Sequence, residues 1–174
     1  MVTFFNRLNA KIYKAEKINT HGGSIRIYVK KNIKTKTENS VKKLLDEEVK
    51  FGIKKYETYK EFAKKVYKIR DNVRKNISKL ASNNTKIIGY GSPAKATTAL
   101  NFFGISSEIE CIIEDNKLKQ GKFLPGMKIP IKSKQNLKGK PDCLLVLAWN
   151  FYDEIKKNNR DLTDKFVSIK ELEN

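Results

Sequence analysis

One strand–turn–helix pattern in the middle of the chain constrains the fold more than any other feature of the sequence. Residues 85–88 form a short run rich in β-branched side chains, and Gly89 and Gly91 follow at the spacing of a tight turn. Ser92 is a good N-cap residue, and Pro93 fits the first helical position, where its missing N–H costs nothing. The pattern therefore predicts a buried strand, a glycine turn and a helix, in that order.

The glycine turn also predicts a kind of ligand. A helix N-terminus behind such a turn presents free N–H groups and favours an anion, most often phosphate. The spacing Gly89-x-Gly91-x-x-Ala94 fits a loose form of the dinucleotide fingerprint, and the acidic residues Glu114 and Asp115 follow about 20 residues later. Because the motif is short, a tight turn without any ligand remains the alternative interpretation.

Strands and helices alternate from residue 85 onwards. Further strands are predicted at 109–115, 129–131, 143–148 and 166–169, and helices at 93–103 and 151–158. This alternation predicts an α/β fold, with a Rossmann-like, mostly parallel sheet flanked by helices. Ligands of such sheets bind at the carboxyl ends of the strands. The residues expected there are Gly89 to Lys95, Glu114, Asp115, Trp149 and Asn150.

The first 84 residues predict a β-hairpin followed by a helical connector. Strands at 11–18 and 24–29 flank a glycine-containing turn, one amphipathic helix stops near Gly52, and a second runs from Tyr59 to Leu80. The apolar stripe of the second helix is either a coiled-coil seam or a packing face, and its short length favours packing. We expect three parts, at residues 1–30, 31–84 and 85–174.

The charge of the chain raises the question of nucleic-acid binding. Lys and Arg number 37 against 19 Asp and Glu, a formal net charge of +18. The positive charge is mostly lysine and is spread along the chain, and lysine reads base edges poorly. A nucleic-acid partner is therefore disfavoured. The basic face of helices 38–80 is the best candidate for contacting an acidic partner.

Cysteine content and hydropathy indicate the compartment. Cys111 and Cys143 both fall in predicted buried strands, as small core residues of a protein in a reducing environment. They predict neither a disulfide nor a metal site. No apolar run approaches the roughly 20 residues of a membrane span, and the N-terminus lacks secretory-signal features. A cytoplasmic location without a membrane partner is expected.

His21 is the only histidine of the chain. The adjacent Gly22 and Gly23 would let the backbone approach a ligand closely. A neutral imidazole can serve as a general base near pH 7. Composition alone nevertheless favours an exposed turn histidine without a role.

Four motifs occur in one order along the chain: THGGSIR at 20–26, GYGSPAK at 89–95, DNKLKQGKFLPG at 115–126 and LAWNF at 147–151. In this order they resemble the C-terminal part of the S-adenosylmethionine-dependent sugar C-methyltransferases. Those enzymes methylate a ring carbon of nucleotide-linked deoxysugars. The resemblance extends from about residue 11 to residue 170.

The resemblance implies roles for particular residues. Residues 1–30 correspond to the last strands of a central methyltransferase domain, and the C-terminal Rossmann-like domain helps to hold the nucleotide sugar. His21 aligns with the histidine thought to act as the base, because a proton beside a keto group must leave to form the attacking enolate. The implied substrate contacts, with no metal ligand among them, are Gly89, Tyr90, Gly91, Ser92, Pro93, Lys95, Asp115, Trp149 and Asn150.

The sequence also departs from the family pattern in two respects. The chain has no zinc-binding cysteine cluster, and too few residues precede His21 to form a methyl-donor domain. S-adenosylmethionine is thus expected as a cofactor of the complete enzyme and not of this chain alone, with the donor domain acting in trans or lost from a split gene. The alternatives are a non-catalytic nucleotide-sugar or dinucleotide-binding module, a basic interaction protein, and a product without activity.

Overall fold

The computed structural model describes residues 1–20, 22–82 and 84–174, and these divide into two compact units, residues 1–63 and 64–174. The three-part division expected from the sequence remains a prediction. The helices are α1 Val2–Arg7, α2 Asn39–Phe51, α3 Tyr56–Ala81, α4 Ala94–Phe103 and α5 Tyr152–Asn158. The strands are β1 Lys11–Ile18, β2 Ser24–Lys30, β3 Ile87–Tyr90, β4 Ile112–Ile113, β5 Ile131–Lys132, β6 Cys143–Val146 and β7 Phe166–Ser168.

The first unit is built on the predicted hairpin. Strands β1 and β2 pair antiparallel along their whole lengths. Val41 of α2 packs with Ile12 and Ala15 of β1, and these three buried side chains form a small core. Helix α2 ends at Gly52, whose backbone is left-handed with φ of 78°, as the sequence predicts. The short helix α1 was not predicted, since its six residues include no buried side chain.

The second unit contains a five-stranded, wholly parallel sheet in the order β5-β4-β3-β6-β7. This confirms the Rossmann-like α/β prediction. From the central strand β3 the chain first adds β4 and β5 on one side, and then returns to add β6 and β7 on the other. The strand order therefore reverses between β3 and β6, and a crevice is expected at the carboxyl ends of these two strands.

Both faces of this sheet are covered. Ile87 and Leu145 face the core that includes residues of α3 and α4, whereas Ile88 and Leu144 face the core that includes Ile155 of α5. A parallel strand covered on both faces requires a continuous apolar run, and every residue of β3 and β6 is buried. Both cysteines are fully buried free thiols, which confirms the prediction that they are core residues.

Two sequence predictions of element extent need correction. The predicted strand 109–115 is reduced to the two residues of β4, which lie beside an equally short β5. Pro130, just before β5, accepts a hydrogen bond from the Ile112 N–H but has no N–H to donate, so the ladder is short. In the predicted stripe of α3, Tyr59 and Phe62 are exposed.

The C-terminal half of α3 does pack as predicted. Val73 and Ile77 are fully buried in the core of the second unit, with Ile69 and Leu80 packed against it. Among the described residues, no helix is both long and apolar enough to span a bilayer.

Gly91 and Gly121 form a matched pair for testing the glycine turn. Both have left-handed backbone, with φ of 84° and 76°, but a Cβ on Gly91 would lie 2.7 Å from the Ala148 Cβ, whereas one on Gly121 would meet nothing within 4 Å. We expect G121A to lower the unfolding free energy by about 1 to 2 kcal/mol. G91A should lower the unfolding free energy by about 1 to 3 kcal/mol more than G121A does, because the added Cβ would overlap with the Ala148 Cβ.

Urea unfolding followed by circular dichroism measures both values. Equal losses for the two variants would show that the contact with Ala148 does not restrain the turn.

Candidate functional site

A cleft of about 370 Å³ lies where the sheet topology predicts it. Its floor comes from the residues that end β3 and from those that follow β4 and β6, and α5 contributes one wall. The residues that line it are Tyr90, Gly91, Ser92, Pro93, Glu114, Asp115, Lys119, Ala148, Phe151, Glu154, Ile155, Asn158 and Asn159. Strand order alone therefore brings three separate segments and one helix to a single site.

The glycine turn is shaped by close packing. The Gly91 N–H donates to the Ile113 carbonyl at 2.8 Å, and the left-handed backbone then turns the chain away from the sheet. Helix α4 begins at Ala94, with Pro93 at the N-cap position and no side-chain cap. The predictions that Ser92 is the N-cap and Pro93 the first helical residue are each off by one position, because the helix begins only at Ala94, and the Ser92 hydroxyl donates to Glu114 instead.

Glu114 occupies the donors of the turn. One of its carboxylate oxygens accepts hydrogen bonds from the Ser92 hydroxyl at 2.5 Å and the Ser92 N–H at 3.0 Å. The Lys119 ammonium donates to the same oxygen at 3.3 Å and to the Ser92 carbonyl at 2.9 Å. The anion held at this turn is thus the protein's own carboxylate, and the Ser92 N–H is not free for phosphate.

The ionisation of Glu114 follows from these contacts. Burial alone would raise the pKa of this carboxyl, but hydrogen bonds from Ser92 and from the Asn116 N–H, together with the charge of Lys119, hold it below its ordinary value. Glu114 is therefore an anion at neutral pH, and it stabilises the turn only in that state.

Tyr90 and Asp115 form a second polar pair in the cleft. The Tyr90 hydroxyl lies 2.9 Å and 3.1 Å from the two carboxylate oxygens of Asp115, to which it donates. Burial and this carboxylate raise the pKa of Tyr90 to about 12. The phenol therefore stays protonated at neutral pH, and it can orient Asp115 but cannot act as a base.

The predicted site residues fall into two groups. Tyr90, Gly91, Ser92, Pro93 and Asp115 meet in the cleft. The remaining residues after position 85, which do not line it, are Gly89, Lys95, Trp149 and Asn150.

Each residue of the second group has another environment. Gly89 lies inside β3, where a Cβ would meet side-chain atoms of Ile112 and Leu147 at 3.0 Å and 3.1 Å. The Lys95 ammonium lies 4.2 Å from the centre of the Trp149 ring, in a cation–π contact. Asn150 is exposed. Whether any of these residues contacts a substrate remains a prediction.

The sequence analysis missed the wall that α5 supplies. Glu154, Asn158 and Asn159 line the cleft, and Asn159 is buried, with its Nδ2 donating to the Ile155 carbonyl and its Oδ1 accepting from the Lys134 ammonium. The available signal was the predicted helix 151–158, because a helix that follows the strand at the switch point lies beside the crevice.

His21 lies outside the described residues, and its role as a base remains a prediction. Its neighbours do form the tight turn that the sequence indicates. The Gly23 N–H donates to the Thr20 carbonyl at 2.9 Å, and Gly22 and Gly23 both have positive φ, at 87° and 118°.

The contacts of Glu114 predict an acid-sensitive fold. Since the pKa of Glu114 is lower in the folded than in the unfolded chain, its contribution is complete above its ordinary pKa of 4.5 and is lost as the pH falls towards the folded value. We expect E114Q to lose about 1 kcal/mol at pH 7 and to unfold with a weaker dependence on pH below 4.5.

Urea unfolding of the wild-type protein, E114Q and E108Q at several acidic pH values tests this expectation. Glu108 is half-buried, lies outside the glycine turn and accepts a hydrogen bond from Ser107, so E108Q controls for the loss of one carboxylate. An E114Q protein with the same pH dependence as wild type would contradict the assignment.

Comparison with known proteins identifies the family of this chain. Residues 19–169 match the C-methyltransferase C-terminal domain family. C-methyltransferase NovU of Streptomyces niveus is 31% identical to the chain over 167 residues, which cover 94% of this chain and 40% of that protein. The match spans most of this chain and less than half of the relative. This chain therefore belongs to the C-methyltransferase C-terminal domain family.

Proposed function

We propose that this chain is the substrate-holding part of an S-adenosylmethionine-dependent C-methyltransferase that acts on a nucleotide-linked keto-deoxysugar. The observation that supports this most strongly is the cleft at the strand-order reversal in a chain of this family. The proposed substrate is a sugar joined to a nucleoside diphosphate. The chain is proposed to bind and orient this substrate.

The side chains of the cleft suit sugar hydroxyl groups. Asp115 and Glu154 offer carboxylate oxygens that accept hydrogen bonds from hydroxyls, and the Asn158 amide offers both a donor and an acceptor. The exposed ring of Phe151 adds an apolar surface at the rim. A few convergent polar groups in a concave site are typical of small-molecule binding.

The cleft does not fit the methyl donor equally well. The donor is S-adenosylmethionine, whose amino-acid carboxylate would require free N–H groups at the glycine turn. The Ser92 N–H there is already bonded to Glu114. We therefore assign the donor to a methyltransferase domain, joined to this chain or acting in trans.

The chemistry assigned to this chain is the handling of a proton. The base would be His21, which takes a proton from the ring carbon beside the keto group, so that the electron pair passes into an enolate. The free thiols at Cys111 and Cys143 fit the reducing conditions of the cytoplasm, where the proposed reaction would occur.

Calorimetric titration tests the substrate assignment. The chain is titrated separately with dTDP, with a dTDP-keto-deoxysugar and with S-adenosylmethionine, and we expect heat from the two nucleotides and none from the donor. E154Q should weaken binding of the keto-deoxysugar about threefold to tenfold, by loss of a charge-assisted hydrogen bond.

The control for E154Q is D153N, since Asp153 is the exposed neighbour on α5 that does not line the cleft. Tight binding of the donor to this chain would contradict the assignment. If a chain shown to be folded gave no binding heat with any of the three ligands, the assignment would be overturned.

The role of His21 has a separate test. In an enzyme reconstituted with a methyltransferase domain, H21A should lower kcat by about 10²- to 10⁴-fold, because the proton would lose its acceptor. The affinity for the nucleotide sugar should change little. Turnover is measured by transfer of a labelled methyl group, and undiminished turnover would rule out His21 as the base.

A further inference from the structure

A second cavity, of about 410 Å³, lies beside the cleft. The two share Ser92 and Lys119, whose mutual hydrogen bond separates them. We call this second space the basic cavity. The residues that line it are Ser92, Ala94, Thr97, Lys119, Lys122, Phe123, Leu124, Pro125 and Ile131.

The two spaces differ in charge. Three carboxylates, of Glu114, Asp115 and Glu154, line the cleft with the shared Lys119 as its single lysine, whereas the basic cavity has two lysines, Lys119 and Lys122, and no acidic residue in its lining. Lys119 is held by Glu114 and the Ser92 carbonyl. The Lys122 ammonium forms no ion pair with any residue in the described ranges. The exposed side chain of Lys122 therefore contributes an unpaired positive charge to a lining that has no acidic residue.

An ordered backbone presents Lys122 and Phe123. The Lys122 carbonyl accepts a hydrogen bond from the Ile131 N–H at 2.8 Å, and the Leu124 N–H donates to the Ile129 carbonyl at 2.8 Å. The Phe123 ring, bracketed by these bonds, remains 62% exposed. The lining of the basic cavity therefore combines an exposed aromatic ring with an unpaired lysine, and these two groups suit a nucleobase and its phosphates.

Resting on the proposed function, we propose that the basic cavity holds the nucleoside diphosphate and that the cleft holds the sugar. Lys122 would pair with the diphosphate, and the base would stack on Phe123. The sugar would extend past Ser92 and Lys119 to the carboxylates of the cleft. The first turn of α4 adds a favourable dipole, because Ala94 and Thr97 line the basic cavity.

The charges that line the two spaces favour this orientation of the ligand over the reverse one. In the reverse orientation the diphosphate would meet Glu114, Asp115 and Glu154, and like charges within a cavity repel strongly. Glu114 contributes twice, because it also occupies the Ser92 N–H that would otherwise attract phosphate. It therefore acts as a specificity-determining residue that directs the diphosphate to the other side of Ser92.

Titration calorimetry with inorganic pyrophosphate and with dTDP tests the proposal. K122Q should weaken both ligands about fivefold, by loss of one ion pair, and this effect should shrink as salt is raised. F123A should weaken dTDP about fivefold or more, by loss of stacking, and leave pyrophosphate unchanged. E114Q should gain affinity for pyrophosphate, because the repulsion is reduced.

The matched controls come from the same loop. Lys117 and Leu118 are exposed and line neither space, so K117Q and L118A should leave both affinities unchanged. Thermal melts of every variant establish that it is folded.

The outcomes separate this proposal from the proposed function. Binding of dTDP that ignores K122Q and F123A would overturn the orientation and leave the substrate-holding function intact. Pyrophosphate binding that depends on Lys122, without any affinity for dTDP or its keto-deoxysugar, would overturn the substrate-holding function. Insensitivity of both ligands to K122Q would reject the basic cavity as a phosphate site.

Discussion

The second unit depends on the close packing of its central strand, β3. This strand pairs with β4 on one edge and with β6 on the other, and side chains cover both of its faces. Gly89 and Gly91 permit this arrangement, since a Cβ at either position would press on neighbours from β4 or from the segment after β6. Gly91 also lines the cleft, which lies at the end of the same strand. Fold and site therefore share one steric constraint, and a change that loosened the turn would disturb both.

At the turn that follows these glycines, the main interaction is an ion pair. A glycine turn before a helix normally attracts an anion from outside, but here Glu114 supplies the anion and Lys119 neutralises it. This internal ion pair divides the surface at the carboxyl ends of the strands into an acidic cleft and a basic cavity. A ligand with a neutral, hydroxylated end and an anionic end matches both spaces at once. The arrangement is therefore consistent with the nucleotide sugar that we propose as the substrate.

The family relation places these sites in a larger setting. The chain spans 40% of the length of its relative NovU, so methyl transfer belongs to our proposal, whereas membership of the C-methyltransferase C-terminal domain family is established. In that proposal, two parts of the chain have different tasks. The sheet unit selects and orients the substrate by charge, and the turn between β1 and β2 carries the histidine proposed to move the proton. Neither task requires a metal ligand from this chain.

Local pattern was sufficient to predict most elements of this protein, though not helix α1 or the shortness of β4. The apolar runs of β3 and β6, the periodicity of α3 and the left-handed glycine after α2 depend on neighbouring residues in the chain, so the sequence predicted the parallel α/β sheet, the hairpin and the buried cysteines. The partners of individual polar groups were decided only in three dimensions. Ser92 has the residue type of a helix cap, but α4 begins only at Ala94, and the sheet brings Glu114 within 3.0 Å of the Ser92 N–H, so the hydroxyl donates to a charged acceptor instead. Neither Lys122, which lies in the motif 115–126, nor Asn159, which follows the predicted helix 151–158, was predicted as a site residue, because only the strand order places the segments beside them.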